Sequence, residues 1–355
     1  MILFNFYLKF ISLFCTFVFM KNVLIFTIDG DLTSTLVCNI IKNHFNANPI
    51  RINGGNELNF ISYDLSRDVF LFEAHGKCYS LFDIHSVWFR KNVNGFKISS
   101  QEIIATEKIK NKFEETELFE QNLYRNIIAN RKDLFSFFVR MLTIHSKTLG
   151  DPFIMGLNKL RILCMAKSNG LEIPMSWVYT KKEDIMMTMR KTSGISLITK
   201  PIEEGFYFFS KDFSYNVLTS RVDDYFIESL PETFPPSLFQ EEIEKEFEIR
   251  TFYIDGEFYS MAIFSQEDKQ TEVDYRNYNL SHPNKISSFN LPTEIQDKLK
   301  LLFKEIGLNC GSVDLIKSVD GKFVFLEINP VGQFGMVSKP CNYNLEYLVA
   351  KWLIE

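Results

Sequence analysis

Near the C-terminus the chain reads CGSVDLIKSVDGKFVFLEINPVGQFG, residues 310–335. Two apolar, strand-like runs flank the Asp-Gly pair at 320–321, the strongest short-range signal for a two-residue hairpin loop. In the register such a loop sets, Val319 faces Lys322, Ser318 faces Phe323, and Asp314 falls opposite Glu327. Asn329, two residues on, shares their face with Ile316, Phe323 and Phe325. Like charges opposed across a sheet repel, and burying them unpaired is costly. A cation between them resolves the conflict. Two carboxylates and an amide oxygen suit a hard ion whose remaining sites are left to phosphate, as in Mg²⁺ carrying a nucleotide. A solvated strand end neutralised by Lys317 or Lys322 is the other reading of the same residues.

Upstream lie cations that could meet the phosphates. Lys159 falls in the first turn of a helix, where the macrodipole disfavours a cation, and reads either as an anion ligand or as a plain surface lysine. Lys200 ends the apolar strand ISLITK, placed to meet an anion as a point charge. Glu248 and Arg250 share a face of EIRTFYI, and Arg276 stands in the polar loop DYRNYN. Each could equally form a surface ion pair; their order along the chain says more than any one of them. G-x-x-x-x-G-K-[ST] and G-x-G-x-x-G are both missing, so neither a P-loop nor dinucleotide binding is supported. No Ser/His/Asp or Cys/His arrangement stands out, and the five histidines lack ligand spacing.

These residues need a scaffold, and hydrophobic periodicity outlines one. VLIFTI (23–28) is the continuous apolar run of a strand buried on both faces. A helix follows, with Asp31, Thr33 and Ser34 as cap candidates; Asp29 and Asp31 read as turn and cap residues. PIRIN (49–53), DVFLFEA (68–74) and SVWFRK (86–91) are further strands of this α/β domain. Within 101–148, apolar residues at helical spacing predict connecting helices. From Gly150 a second block begins. Asn158 caps the helix NKLRILCMAKSNG, strands SWVYT (176–180) and GISLITK (194–200) flank a helical KEDIMMTMRK, and strands around EIRTFYI turn at Asp255-Gly256. The helix LPTEIQDKLKLLFKEIG, the final hairpin and a terminal helix, NLEYLVAKWLIE, complete it.

The chain has 355 residues, 46% hydrophobic and 23% charged, enough for more than one domain. Its net charge of −5 gives no basic footprint for nucleic acid. Cysteines at 15, 38, 78, 164, 310 and 341 form no C-x-x-C, and read as reduced thiols of a cytoplasmic protein. The first twenty residues, MILFNFYLKFISLFCTFVFM, would suit a membrane anchor or signal segment, but no small-residue cleavage site follows. Residues 1–19 are therefore expected to be a start-site artefact or apolar leader, with Met20 the first residue and no stable membrane association.

From 150 onward these features, in this order, resemble the ATP-grasp ligases: NK opening a helix, ITKP, the linker strand FQEEI, EIR before a hairpin, a loop arginine, then D…E-x-N-P. The α/β domain before them resembles a pre-ATP-grasp domain. WFRKN, KPIEEG and NPVGQFG narrow the likeness to graspetide-type peptide maturases, the grasp-with-spasm relatives of the microviridin ligases. The implied fold is α/β: a pre-ATP-grasp domain at 20–149, then an ATP-grasp domain at 150–355 split into subdomains 150–236 and 237–355. The resemblance implies that Lys159 and Lys200 hold the α- and β-phosphates. It makes Gln240, Glu241, Glu242 and Ile243 the adenine hinge, and puts Glu248 on the ribose or purine side, where Asp is more usual. Arg250 and Arg276, with Lys200, would steady the transferred phosphate, and Asp314, Glu327 and Asn329 would bind two Mg²⁺. The glycine-rich lid of many relatives is thin here, Gly205 being its candidate glycine.

That family activates a carboxylate with ATP as an acyl phosphate, which a hydroxyl or amine then displaces. In the graspetide branch both groups are side chains of one ribosomal precursor peptide bearing a leader segment, Asp or Glu joined to Ser, Thr or Lys. Two rivals are an ATP-grasp ligase adding amino acids to a peptide or protein terminus, and a non-catalytic nucleotide- or peptide-binding module. A homodimer is the assembly kept open.

Overall fold

The structure is a computed structural model. It describes residues 20–355 except 55–56, 92–94, 98–115, 155, 193–194, 204–206, 211–213, 217–218 and 278. The expected features at 1–19, at Gly205 and in part of WFRKN and of the 101–148 helices lie outside the described residues.

The chain divides into two units, 1–149 with 346–355, and 150–345. In the first unit, β1 (Asn22–Phe26) leads into α1 (Leu32–Asn43), then β2 (Asn48–Ile52). β3 (Leu58–Asp64), β4 (Val69–Ala74) and β5 (Lys77–Ser80) form an antiparallel sheet. β6 (Ile84–Phe89), α2 (Thr116–His145) and β7 (Lys147–Leu149) follow. β2, β1, β6 and β7 pair in that order, all parallel. Val23, Leu24, Ile25 and Phe26 are almost wholly buried, as a strand covered on both faces must be. DVFLFEA, one of the expected strands, buries alternate residues in the separate antiparallel sheet. That alternation is the mark of a half-covered strand.

In the second unit α3 (Lys159–Ser168) is capped by Asn158, whose Oδ1 accepts from Arg161 N–H at 2.9 Å. β8 (Ser176–Lys181), α4 (Lys182–Lys191), β9 (Leu197–Lys200), the hairpin of β10 (Tyr207–Phe209) and β11 (Ser214–Asn216), and β12 (Ser220–Arg221) follow. Next come α5 (Asp224–Ser229) and β13 (Thr233–Glu241), and β12-β9-β13-β8 form one antiparallel sheet. The second large sheet has the order β16-β15-β14-β17-β18. It comprises β14 (Lys245–Ile254), β15 (Glu257–Phe264), β16 (Lys285–Phe289), β17 (Cys310–Ser318) and β18 (Phe323–Asn329), with α6 (Thr293–Ile306) between β16 and β17. The short α7 (Gly335–Ser338) and α8 (Leu345–Ile354) end the chain. Ile249, Val313, Leu315, Phe325 and Ile328 pack one face of the sheet against Ile162 and Leu163 of α3 and Leu299, Leu302 and Phe303 of α6. Fully buried Phe303 and Phe325 each contribute about 2 kcal/mol to that layer. The opposite face is left for chemistry.

Two expectations are corrected. The closing helix, read as part of the second block, groups from Glu346 onward with the first unit. Its last carbonyls are taken there: Leu353 O accepts from Ser86 Oγ at 2.6 Å, and Trp352 O from Lys147 Nζ at 2.8 Å. Those carbonyls lack helical partners, and a lysine beside them favours the negative end of the helix. The final hairpin also turns differently. Ser318 N–H donates to Lys322 O and Gly321 N–H to Ser318 O, both at 3.0 Å, with Gly321 at φ +89. Three residues therefore form the loop, and Lys317, not Ser318, faces Phe323. A bulge at Leu326 restores the count, so Asp314 does face Glu327. Because of it, Phe325 and Phe323 join the core side, and Leu326 and Glu327 line the same cavity.

Candidate active site

The carboxylates belong to one cross-strand row. Arg250 on β14 faces Asp314 on β17, which faces Glu327 on β18. Arg250 Nη1 donates to Asp314 Oδ2 at 2.5 Å, and both side chains are nearly buried. Glu327 is approached from α3 by Lys159 Nζ at 3.4 Å; the same ammonium donates to Pro201 O at 3.1 Å. Lys159 is thus no bland surface lysine: starting its helix places it against a second strand.

A cavity opens over this row. Lys200, Gln240, Glu241, Ile243, Glu248, Arg276, Asp314 and Glu327 line it, together with Ile198, Lys245, Asp274, Tyr275 and Leu326. Lys159, Arg250, Glu242 and Asn329 do not. Arg250 stands behind Asp314, and Lys159 reaches Glu327 from its side. Glu242 is held by Arg221, whose Nε donates to its Oε1 at 2.8 Å. Asn329 folds locally, its Oδ1 accepting from Val331 N–H at 3.0 Å.

Four ion pairs flank the cavity: Lys245 with Glu248, Arg250 with Asp314, Arg276 with Asp274, Lys159 with Glu327. Among the described residues Lys200 is left over. Burial pushes its ammonium down to about 8, against the opposing pull of Glu327. A buried cation that no acid pairs with is a place for an anion. Arg276 is braced by Asp274, with Nε to Oδ1 at 2.9 Å and Nη2 to Oδ2 at 2.7 Å, which raises its affinity for its proton. Burial would lift Glu327, but Lys159, Lys200 and Arg276 together hold it below the ordinary carboxylate range. Asp314 goes the other way: burial raises it despite Arg250, with Glu327 adding repulsion. Burial likewise raises Glu248, against Lys245 and the Ser265 hydroxyl that donates to its Oε1 at 2.8 Å.

Two buried acceptors remain without partners among the described residues, Asp314 Oδ1 and Gln240 Oε1. An unsatisfied buried acceptor costs about 1–3 kcal/mol and calls for a donor or a cation. Ser176 Oγ donates its hydrogen to Pro174 O at 2.8 Å, so it can only accept from Gln240 Nε2, at 2.7 Å. The Gln240 amide is therefore fixed with its oxygen free, on a side chain wholly buried at the cavity wall. Asp314 Oδ1 lies opposite a second carboxylate, Glu327, and two such oxygens side by side fit a hard divalent ion. Among the described residues no group of three or more His, Cys, Asp or Glu side chains is placed to hold a metal, so such an ion needs amide and ligand oxygens as well.

No protein-family model matches this sequence, and no curated protein does. Solved structures do. Macrocyclase MdnC of Microcystis aeruginosa MRC, bound with precursor peptide MdnA, superposes with a TM-score of 0.70 at 23% identity, covering 94% of this chain and 99% of that one. A RiPP-associated ATP-grasp ligase of Chryseobacterium gregarium, in complex with ADP and a leader and core peptide, gives 0.71 at 24% identity, covering 94% and 96%. The chain has the ATP-grasp fold. ATP-grasp ligase PsnB, complexed with minimal precursor, Mg and ADP, agrees at 0.64 and 16% identity over 94% and 96%. In ATP-grasp terms, the cavity and its row of charges lie within the second unit, the one expected from sequence to grip the nucleotide.

Sequence reading did not find Lys245, Asp274, Tyr275 or Leu326. Lys245–Glu248 and Asp274–Arg276 are close in sequence and could have been paired; Leu326 enters only through the bulge. Among the described residues, no helix is long and apolar enough to cross a membrane.

Proposed function

We propose that this chain is an ADP-forming carboxylate ligase acting on a peptide, with ATP and two Mg²⁺. The observation carrying the reading is the row Arg250–Asp314–Glu327, flanked by Lys159, Lys200 and Arg276, with Asp314 Oδ1 left unpartnered. Asp314, Glu327 and the Asn329 amide oxygen would hold the metal, which would supply positive charge to offset that of the phosphates. Lys159 and Lys200 bind the α- and β-phosphates; Arg276 meets the transferred phosphoryl group, and Arg250 adds its charge from behind Asp314. Gln240, Glu241, Glu242 and Ile243 form the adenine hinge, with Gln240 Oε1 facing an amino group of the base and Glu248 on the ribose side.

A carboxylate oxygen of the peptide attacks the γ-phosphorus, the bond to ADP breaks, and an acyl phosphate forms. A hydroxyl or amine then attacks the acyl carbon, releasing phosphate and leaving an ester or amide. Both partners are negative in the first step, so the enzyme must hold a cation on each side of the forming bond. Positioning and charge suffice, and no covalent protein nucleophile is required. The substrate class is a ribosomal precursor peptide with a leader, its Asp or Glu joined to its own Ser, Thr or Lys. The fold likeness to macrocyclases and peptide-bound ligases supports this class.

Incubation with ATP, Mg²⁺ and the short Ser/Thr/Lys- and Asp/Glu-rich peptide encoded beside the gene tests it. Release of ADP with loss of one water's mass per cross-link is the expected result. Added mass indicates the terminus-modifying ligase instead; neither ADP nor a mass change would sink the catalytic assignment.

A further inference from the structure

The turn that follows Glu327 and Asn329 is built on a glycine whose close packing leaves no room for a side chain. After Asn329 the chain passes through Pro330 and Val331 to Gly332. Gly332 N–H donates to Asn329 O at 3.1 Å, closing the turn, while Val331 N–H holds Asn329 Oδ1. Gly332 has φ +61, a left-handed conformation that favours glycine. A Cβ there would stand 3.0 Å from Phe252 Cε2 and 3.4 Å from Gly311 Cα. Phe252 cannot easily yield: it is 2% exposed, and its ring centroid lies 4.7 Å from that of Phe334, itself 1% exposed. Gly311 is equally closed, since a Cβ would meet Phe303 Cε1 at 3.0 Å and Asn329 O at 3.2 Å. Two glycines on neighbouring segments thus let the turn's backbone lie directly on the β14–β17 ladder.

The geometry points to Gly332, seated on Phe252 and Gly311, as a positioning residue that sets the Asn329 amide oxygen for metal binding; this rests on the Mg²⁺ reading above. The chain of contacts is short. The seat fixes Gly332, the closed turn fixes Val331, and the Val331 N–H fixes which amide atom Asn329 presents. A carbonyl oxygen has two lone pairs, so Oδ1 can accept from Val331 and still ligate a cation. Groups that orient a ligand in this way typically change metal affinity about 10- to 100-fold when lost.

Calorimetric titration of ADP into the full chain at graded Mg²⁺, alongside thermal melting, tests this. Gly332→Ala is expected to raise the Mg²⁺ concentration for half-maximal ADP affinity about tenfold, with ADP binding in the absence of Mg²⁺ unchanged. A variant that melts lower yet keeps the wild-type Mg²⁺ midpoint overturns the inference, since a purely structural glycine would behave that way. Asn329→Ala separates the two layers. If it also leaves the midpoint alone, the metal reading is wrong; if it moves the midpoint while Gly332→Ala does not, only the positioning role fails. Should Gly332→Ala not fold, Phe252→Leu loosens the same seat without adding an atom to the turn. A raised midpoint then supports the inference, and an unchanged one overturns it.

Discussion

Each unit buries an aspartate against an arginine, and the two pairs are completed differently. In the first unit Asp31 Oδ2 accepts from Arg90 Nε at 3.1 Å, Ser34 Oγ at 2.7 Å and Thr27 Oγ1 at 3.0 Å, while Oδ1 caps α1 through Thr33 N–H at 3.1 Å. Burial would raise this carboxyl, but Arg90 and the hydroxyls outweigh it and hold it low. In the second unit Asp314 has one bonded oxygen and one orphan, and its pKa is raised. Both pairs are shielded from water, the first between a helix cap and the residue after a strand, the second between the middles of neighbouring strands. A fully bonded buried pair organises the fold, whereas a half-bonded one beside another carboxylate stores an unmet demand that a ligand can meet. Burial alone therefore does not mark function; the leftover acceptor does.

The sharpest way to break this contrast is to remove each aspartate. Asp314→Ala and Glu327→Ala should each lower Mg²⁺-dependent ADP release with the cognate peptide by about a hundredfold or more. Unchanged turnover in either variant would refute the site. Asp31→Ala should instead cost about 3 kcal/mol of stability, because the buried Arg90 loses its carboxylate. In calorimetry at a temperature where the variant is folded, its ADP affinity should match the wild type. Since the folded carboxyl is held low, its contribution is present above the ordinary Asp range and lost as pH falls through the lowered value. Wild type and Asp31→Asn should accordingly converge in stability only in acid.

Lys200, with no ion pair among the described residues, extends the comparison from acids to cations. Lys200→Met should weaken ADP binding about tenfold while raising the melting temperature, since a crowded lysine opposes folding. In the wild type, affinity should decline as pH rises through about 8, where the free ammonium loses its charge. Stability should rise with pH from there toward the value of an unfolded lysine, because the unfolded chain binds the extra proton in that window. A flat affinity profile from neutral pH to above 9 would place Lys200 away from the phosphates. The smallest effect concerns Gln240. Gln240→Leu should reduce ADP affinity about tenfold or less and leave inosine diphosphate, with a carbonyl in place of the amino group, nearly unaffected. Equal losses for both nucleotides would show that its orphan oxygen does not read the base.

Much of the second unit was legible in the sequence because its features are local. Asn158 as a cap, Lys200 at a strand end and Gly321 in the hairpin each follow from a few neighbouring residues. Less legible was anything that depended on counting across strands. Reading 320–321 as the whole loop shifted the register near the turn by one residue, and the bulge at Leu326 shifted it back. The carboxylates were thus placed opposite each other through two errors that offset, whereas Phe323 and Phe325 were assigned to the wrong face. Asp274 and Lys245, two and three residues from the Arg276 and Glu248 they pair with, were within reach of a local reading that looked for the partner of each functional charge.

What the sequence determined by itself was the kind and order of the elements, since apolar spacing and cap and turn residues act over one or two turns of chain. It also supplied the chemical inventory: two acids and an amide on the last strands, with lysines and arginines ahead of them. Tertiary structure decided the rest. It determined which cation neutralises which acid, which oxygen is left without a partner, where the last helix belongs, and which side of β18 each residue takes. Those outcomes depend on desolvation and on contacts between segments up to a hundred or more residues apart (Lys159 with Glu327, Lys147 with Trp352). No local rule carries such distances.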